Sequence, residues 1–384
     1  MSGRSPCVGI LEPQMKVLFN REEMAAALGA VSGVTSARTP KPILQCVRLE
    51  AQSDVVLFLA TDLELGLRYA ASQVEVHQPG EVVVRADTLA QIVRECADET
   101  LALDTQKNQL HIRGAGSHFQ IVTHAAGDFP PVAVMEGEPD FSLEQGELRR
   151  LIEWTVFASA RESSRYAING VLWEFKKEKS RVTLVATDGR RLSLARGSVR
   201  PSESAADRSV IVPPRALSLF GRVSADPEAV VFVKLSPNQV VLNLGRATIS
   251  SSLVEGNFPE YERVVPQDNN KEAELDTAEF TSALKRAALL TSEESKAVKM
   301  SFNDGALVLT SRAPEQGEAS ITIPANFRGE PLEIGFNPVF LLDVLRVTPT
   351  DKITGHFRET NRPGILRISD DFLYVVMPVS LAPS

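Results

Sequence analysis

Cysteine is scarce, with three residues in 384, Cys7, Cys46 and Cys96, and no CxxC spacing among them. An odd, sparse set excludes a disulfide framework and points to a reducing, cytoplasmic setting. Histidine is nearly as rare, five scattered residues without HExxH or comparable spacing, so neither a metal site nor a cofactor is expected. No apolar run approaches the ~20 residues that a membrane-spanning helix needs, which leaves no membrane partner. Cys7-Val8-Gly9-Ile10-Leu11 is too short for the apolar core of a secretory signal, and Glu12 and Pro13 follow it. Positive charge is in deficit, the net charge being −8. A protein that grips nucleic acid with its whole surface has the opposite balance, so a DNA partner would need locally clustered Lys and Arg. The chain also lacks GxxxxGK[ST] and a nucleophile elbow, which removes the commonest phosphate-binding and acyl-transfer chemistries.

What is present is ordinary globular material repeated. Hydrophobic residues make up 43% and charged residues 23%, enough for several cores, and the length suits two or three domains. Three segments open with an amphipathic helix pattern: Asn20 to Leu28, Glu144 to Ile152 and Asp276 to Leu284, with Glu23, Glu147 and Glu279 at similar points. A strand-and-turn signal follows as Leu59-Ala60-Thr61-Asp62, Val185-Ala186-Thr187-Asp188 and, less closely, Leu309-Thr310-Ser311. Then a strand runs into a second helix: Val82-Val83-Val84 to Val93, Val210-Ile211-Val212 to Phe220, and Leu332-Glu333-Ile334 to Leu345. Each segment ends in β-rich sequence closed by proline: Asp128-Phe129-Pro130, Asn257-Phe258-Pro259 and Met377-Pro378. A period of roughly 125 residues is too long for a solenoid, so each copy is expected to be a whole domain. The expected division is an extension at 1–14, either disordered or a product of the assigned start codon, then domains at 15–137, 138–266 and 267–384.

Each copy reads helix, strands, helix, strands, with alternation as in His118-Phe119-Gln120-Ile121-Val122 and a turn at Asn303-Asp304-Gly305. The fold class expected is α+β: three similar domains of antiparallel sheets, two helices packed on each. Asp62 and Asp188 invite a paired-carboxylate reading, but they hold equivalent repeat positions in strand-turn sequence, which favours turn chemistry. An enzyme and a repeat-built protein scaffold remain as rival classes. The scaffold predicts no basic stripe on the helices.

Met15-Lys16-Val17, Ala60-Thr61-Asp62-Leu63-Glu64, Arg165-Tyr166-Ala167-Ile168-Asn169-Gly170, Ala186-Thr187-Asp188-Gly189-Arg190-Arg191-Leu192, Gly256-Asn257-Phe258-Pro259-Glu260-Tyr261, Ile334-Gly335-Phe336-Asn337 and Tyr374-Val375-Val376-Met377-Pro378-Val379 occur in that order. In this the chain resembles the β subunit of bacterial DNA polymerase III, over about residues 15–381. The resemblance implies the DNA clamp fold and a ring-shaped head-to-tail homodimer, with sheets outside and helices lining a hole for double-stranded DNA. It implies a non-enzymatic sliding clamp that tethers the replicative polymerase and gives it processivity. The clamp loader and other proteins carrying clamp-binding peptides would be further partners. Sequence-independent attraction suffices for a topologically linked ring and should be salt-sensitive. The helix candidates carry Arg21, Arg94, Arg149, Arg150, Arg215, Arg222, Lys285, Arg286 and Arg346, any one of which can equally be a solvated surface charge.

By the same resemblance, DNA contacts fall on Arg38, Arg161, Arg165 and Tyr166, with Arg149 and Arg150 beside them. Tyr166 can alternatively be a core residue. The family's commoner pattern has a basic residue near Asp87 and a second aromatic at Ala167, and both are missing here. The partner groove would use Ile168, Thr187, Gly189, Arg190, Arg191 and Leu192. From later in the chain it would draw Pro259, Arg263 and Val264, then Val375, Met377, Pro378, Val379 and Leu381. Leu192, Val264, Val375, Met377 and Val379 supply an apolar trough, with Met adapting to varied ligands. Arg191 and Arg263 offer partners for polar or acidic peptide groups. Leu192 and Val375 can also be ordinary core. Where the family often ends in Met-Arg-Leu, this chain reads Val379-Ser380-Leu381 and adds Ala382-Pro383-Ser384. Phe119 and Ile121, on an edge strand, would meet Leu289 and Leu290 of a second copy, covering an edge that is otherwise an aggregation hazard.

Overall fold

The computed structural model describes residues 14–35, 39–162, 166–291 and 297–381. Arg38, Arg165 and Ala382-Pro383-Ser384 lie outside the described residues, as does all but the last residue of the 1–14 extension.

The first copy runs β1 (Lys16–Asn20), α1 (Arg21–Val31), β2 (Cys46–Ala51), β3 (Val56–Thr61), β4 (Leu65–Ala71), β5 (Val74–Gln78), β6 (Gly80–Arg85), α2 (Ala86–Glu95), β7 (Thr100–Gln106), β8 (Gln109–Arg113) and β9 (His118–Val122). The second runs β10 (Phe141–Glu144), α3 (Gln145–Glu153), β11 (Val171–Lys176), β12 (Arg181–Thr187), β13 (Arg191–Ser198), β14 (Arg200–Pro201), β15 (Arg208–Val212), α4 (Pro214–Val223), β16 (Val230–Leu235), β17 (Gln239–Asn243) and β18 (Ala247–Ser252). The third runs β19 (Lys271–Asp276), α5 (Thr277–Ala288), β20 (Val298–Asn303), β21 (Ala306–Ala313), β22 (Gly317–Pro324), β23 (Asn326–Arg328), β24 (Leu332–Phe336), α6 (Pro338–Arg346), β25 (Lys352–Phe357), β26 (Gly364–Ser369) and β27 (Phe372–Val376). Short 3-10 turns aside, the order of strands and helices is the same three times.

Three of the helices, α1, α5 and α6, begin where a side chain satisfies an amide of the first turn. Asn20 accepts from the Glu23 amide at 3.0 Å, Asp276 from Glu279 at 2.7 Å, and Asn337 from Val339 at 3.0 Å, each replacing a bond that the first turn cannot make internally. Each helix then buries one stripe. On α1 it is Met24, Ala27, Leu28 and Val31; on α5 it is Phe280, Ala283, Leu284 and Ala287. Lys285 and Arg286 stand in the last turn of α5, where positive charge complements the helix dipole.

By contacts the chain divides into two compact units that cut across the repeats. Residues 1–139 and 218–252 form one. It contains a five-stranded sheet of order β5-β1-β7-β8-β9 and the run β16-β17-β18-β4-β3-β2-β6. Residues 140–217 and 253–384 form the other. It contains the sheet β15-β11-β12-β13-β27-β26-β25-β19-β23, the sheet β22-β21-β20-β24 and the β10–β14 pair. The strand pairs whose register is described are antiparallel, and β4–β18 and β13–β27 are ladders that join strands of successive copies. The third copy departs from the sequence expectation at one point. Leu309-Thr310-Ser311 lies inside β21, and that hairpin turns only after Ala313, with Gln316 donating to the Ala313 carbonyl and Gly317 at φ +128°.

Candidate functional site

Asp62 and Asp188 are turn residues. Thr61 Oγ1 accepts from the Leu63 amide at 3.0 Å, and Asp62 Oδ1 accepts from Glu64 and Leu65 at 3.1 and 2.7 Å. In the second copy Thr187 Oγ1 accepts from Gly189 at 3.1 Å, and Asp188 Oδ1 accepts from Arg190 and Arg191 at 3.0 and 3.1 Å. Both carboxylates satisfy backbone amides of a tight reversal, which is the chemistry Asp favours in turns. Among the described residues no group of three or more His, Cys, Asp or Glu side chains is placed to hold a metal ion.

The Thr187–Arg191 turn borders the surface where the resemblance places the partner groove. Beyond it β13 lies beside β27, with Leu192 opposite Val375 and Leu194 opposite Leu373. Cross-strand partners share a face, and this one is continued by Leu172, Val185 and Ile365 into one apolar cluster. A strap consisting of Val254, Phe258, Tyr261 and Val265 packs over it. The strap is tied down by Val254 donating to the Ile211 carbonyl at 2.9 Å and by Ala167 donating to that of Asn257 at 3.1 Å. Tyr261 donates to Glu174 Oε2 at 2.5 Å. Burial and that carboxylate push the Tyr261 hydroxyl well above the ordinary phenol range, so it stays protonated as a donor. Gly256, at φ +120°, passes where a Cβ would come within 3.2 Å of Ala167.

Leu192 and Val375 are each only 3% exposed. In this chain they are core, and they form the floor of the surface rather than its opening. The exposed apolar residues are Val264 and Met377, at 52% and 43%. Met377 donates to the Arg190 carbonyl at 2.9 Å and Val379 to that of Gly335, also at 2.9 Å. Leu381 lies against Gly335, where a Cβ would fall 2.6 Å from its Cδ2, which accounts for glycine in Ile334-Gly335-Phe336. Ile168, Pro259 and Pro378 are half-buried and Gly189 and Arg190 exposed. Arg263 is exposed and paired with Glu260 at 2.7 Å.

Arg191, expected as a partner for polar or acidic peptide groups, is also bonded extensively within the chain. Its side chain is 10% exposed, with Nε on Asp188 Oδ2 at 3.0 Å and Nη1 on Asp343 Oδ2 at 2.7 Å. Nη2 donates to the Phe157 carbonyl at 2.8 Å. The guanidinium sits over the Phe340 ring at 4.6 Å and nearer the edge of contact with Phe157 at 5.6 Å. Burial opposes its charge, but Tyr374, Asp343 and Asp188 outweigh that and raise its pKa. Phe157, Phe340, Asp343 and Tyr374 were not singled out from the sequence. They lie on three different elements, and nothing in local spacing connects them to Arg191.

Of the residues expected at DNA, Tyr166 is 44% exposed and so not core, and Arg161 is exposed. Arg149 and Arg150 are half-buried on α3. Arg150 is held by Glu147, Nε to Oε2 at 2.9 Å, and lies 4.3 Å over the Trp154 ring. Arg94, Arg215, Arg222, Lys285, Arg286 and Arg346 are exposed on their helices. Phe119 is 36% exposed and Ile121 half-buried on β9, an edge strand, while Leu289 is 75% exposed and Leu290 half-buried.

Triplicated sheets with two helices each, joined through strand ladders between copies, define the DNA clamp class of fold. Family models agree along nearly the whole chain. The N-terminal domain of the DNA polymerase III beta subunit matches residues 15–133, its central domain 142–260 and its C-terminal domain 262–380. The beta sliding clamp of Pseudomonas putida is 35% identical over 370 residues, covering 96% of this chain and 100% of that one. That of Caulobacter vibrioides is 33% identical over 373 residues, covering 95% and 100%. Among solved structures, the Pseudomonas aeruginosa sliding clamp bound to griselimycin superposes with a TM-score of 0.88 at 32% identity, covering 96% of this chain and 100% of that one. The Bacillus subtilis DNA polymerase sliding clamp does so with a TM-score of 0.90 at 26% identity, with the same coverage. The chain belongs to the bacterial DNA polymerase III beta subunit family, that of the beta sliding clamps.

Proposed function

We propose that two copies of the chain, each of three domains, close head to tail into a ring around duplex DNA. The ring serves as a non-enzymatic tether for the replicative polymerase, the clamp loader and repair proteins. The observation that carries this reading is the threefold recurrence of one order of nine strands and two helices. Such a chain has like ends and a heterologous interface, which closes into a ring when the rotation per copy permits. The unpaired edges fit that interface. β9 ends the sheet of the first copy and β22 that of the third, with Phe119, Val122 and Leu289 exposed nearby. Exposed apolar edges are normally covered in the working protein.

Duplex DNA passes through by topology, held loosely by the summed charge of the exposed helix cations, with Arg161 and Tyr166 making closer contacts. Partner peptides dock on the surface around Met377 and Val264, between the Thr187–Arg191 turn and the chain end. The test is retention on DNA after loading. The protein is expected to stay on a nicked circle and to run off the same DNA once linearised. Equal loss from both would overturn the ring. Escape from linear DNA is expected to quicken with salt, since the holding charge is exposed.

A further inference from the structure

We propose that Asp343 is a positioning residue of the partner groove: with Arg191 it pins the Thr187–Arg191 turn to α6, and Arg191 acts as a strut rather than as a contact for the ligand. This rests on the reading of that surface as a peptide groove. All three guanidinium nitrogens are engaged within the chain, by Asp188, by Asp343 and by the Phe157 carbonyl. These bonds take three of its five N–H donors, and with the side chain 10% exposed little of the guanidinium is open to an incoming peptide. A buried guanidinium is tolerated only while its carboxylates stay in place, so the Arg191–Asp343 contact holds the turn and the helix in one relation.

The neighbouring bonds carry that constraint to the groove's rim. Arg190, the preceding residue, receives the Met377 amide at 2.9 Å, so the turn in turn positions Met377. Tyr374 donates to the Phe340 carbonyl at 2.9 Å, which ties β27 to the same helix. Phe340 supplies the ring beneath the guanidinium. Asp343 also faces outward, with Oδ1 3.6 Å from Arg346, so its charge is shared between the groove side and the exposed end of α6.

The test compares the full chain with Asp343→Asn, Arg191→Lys and the double variant by hydrogen exchange and by affinity for griselimycin as the probe. Asp343→Asn keeps the size and an acceptor of the side chain and removes its charge. The pin predicts faster exchange at residues 189–192 and at Met377 in Asp343→Asn, with other strands unchanged. It predicts griselimycin binding at least tenfold weaker in each single variant, and the double variant no weaker than either. Unchanged exchange in Asp343→Asn overturns the pin. Weaker binding in Arg191→Lys alone also overturns it, since that outcome marks Arg191 as a direct contact. Faster exchange in Asp343→Asn, with no griselimycin binding by the unaltered chain, would uphold the pin and count against the groove reading instead.

Discussion

Leu63 and Gly189 occupy the same position in two copies of one turn, at φ +81° and +84°. The bonds around them correspond, for Ser252 donates to the Glu64 carbonyl at 2.8 Å as Met377 does to that of Arg190 at 2.9 Å. Glycine adopts this backbone freely, whereas leucine meets a left-handed penalty of about 1–2 kcal/mol. Leu63, 55% exposed, recovers little of that by burial. Leu63→Gly is therefore expected to change stability by less than about 1 kcal/mol, the relieved strain offsetting the extra entropy of the unfolded chain. Gly189→Leu meets the penalty with open space around its Cβ and should lose about 1–2 kcal/mol. Urea unfolding of both variants checks the contrast, and equal losses would mean the turns are not equivalent.

A second contrast lies one strand further on. Gly66 pairs with Thr61 and with Ser250, as Leu192 pairs with Thr187 and with Val375. A Cβ on Gly66 would meet Ser250 Oγ at 2.6 Å and Val132 Cγ1 at 3.0 Å. The corner that Leu192 fills in the second copy is thus filled in the first by Val132. Gly66→Ala, a change that usually favours a strand, should destabilise by about 1–3 kcal/mol through overpacking. Leu192→Ala should cost about 2–5 kcal/mol through the cavity it leaves. A Gly66→Ala chain as stable as the parent in urea would contradict the packing described.

Leu289 is 75% exposed at the end of α5, an apolar side chain that the single chain leaves in water. Leu289→Lys together with Leu290→Lys is expected to yield a folded monomer, read by sedimentation velocity against the parent chain, for which the proposed ring predicts a dimer. Unchanged sedimentation of the variant would contradict the placement of Leu289 and Leu290 in an interface between copies.

His356, on β25, titrates below the ordinary histidine range because burial disfavours its charged form. Glu272 works against that shift and Arg367 adds to it. In the unfolded chain it takes up a proton near pH 6.5, so on acidification the unfolded state binds protons first. The stability that neutral His356 contributes is complete above about pH 6.5 and is lost as pH falls through the lower folded value. Thermal unfolding should drop less between pH 7.5 and 5.0 in His356→Gln than in the parent. Parallel drops would exclude the histidine as a cause.

The sequence by itself determined the triplication, the order of elements and their inward faces. It marked the helix starts at Asn20 and Asp276 and gave Asp62 and Asp188 their turn roles, because caps, turns and hydrophobic periods are properties of neighbouring residues. The tertiary structure alone decided what dries each face. Strand ladders β4–β18 and β13–β27 cross from copy to copy, so the compact units do not follow the repeats. The β13–β27 ladder buries Leu192 and Val375 as floor, and the packing of α6 brings Asp343 from 152 residues away onto Arg191. An apolar period reports that a side chain leaves water, and a charged residue that it needs a partner. Neither identifies the distant element that meets the need, because that depends on strand register across the fold.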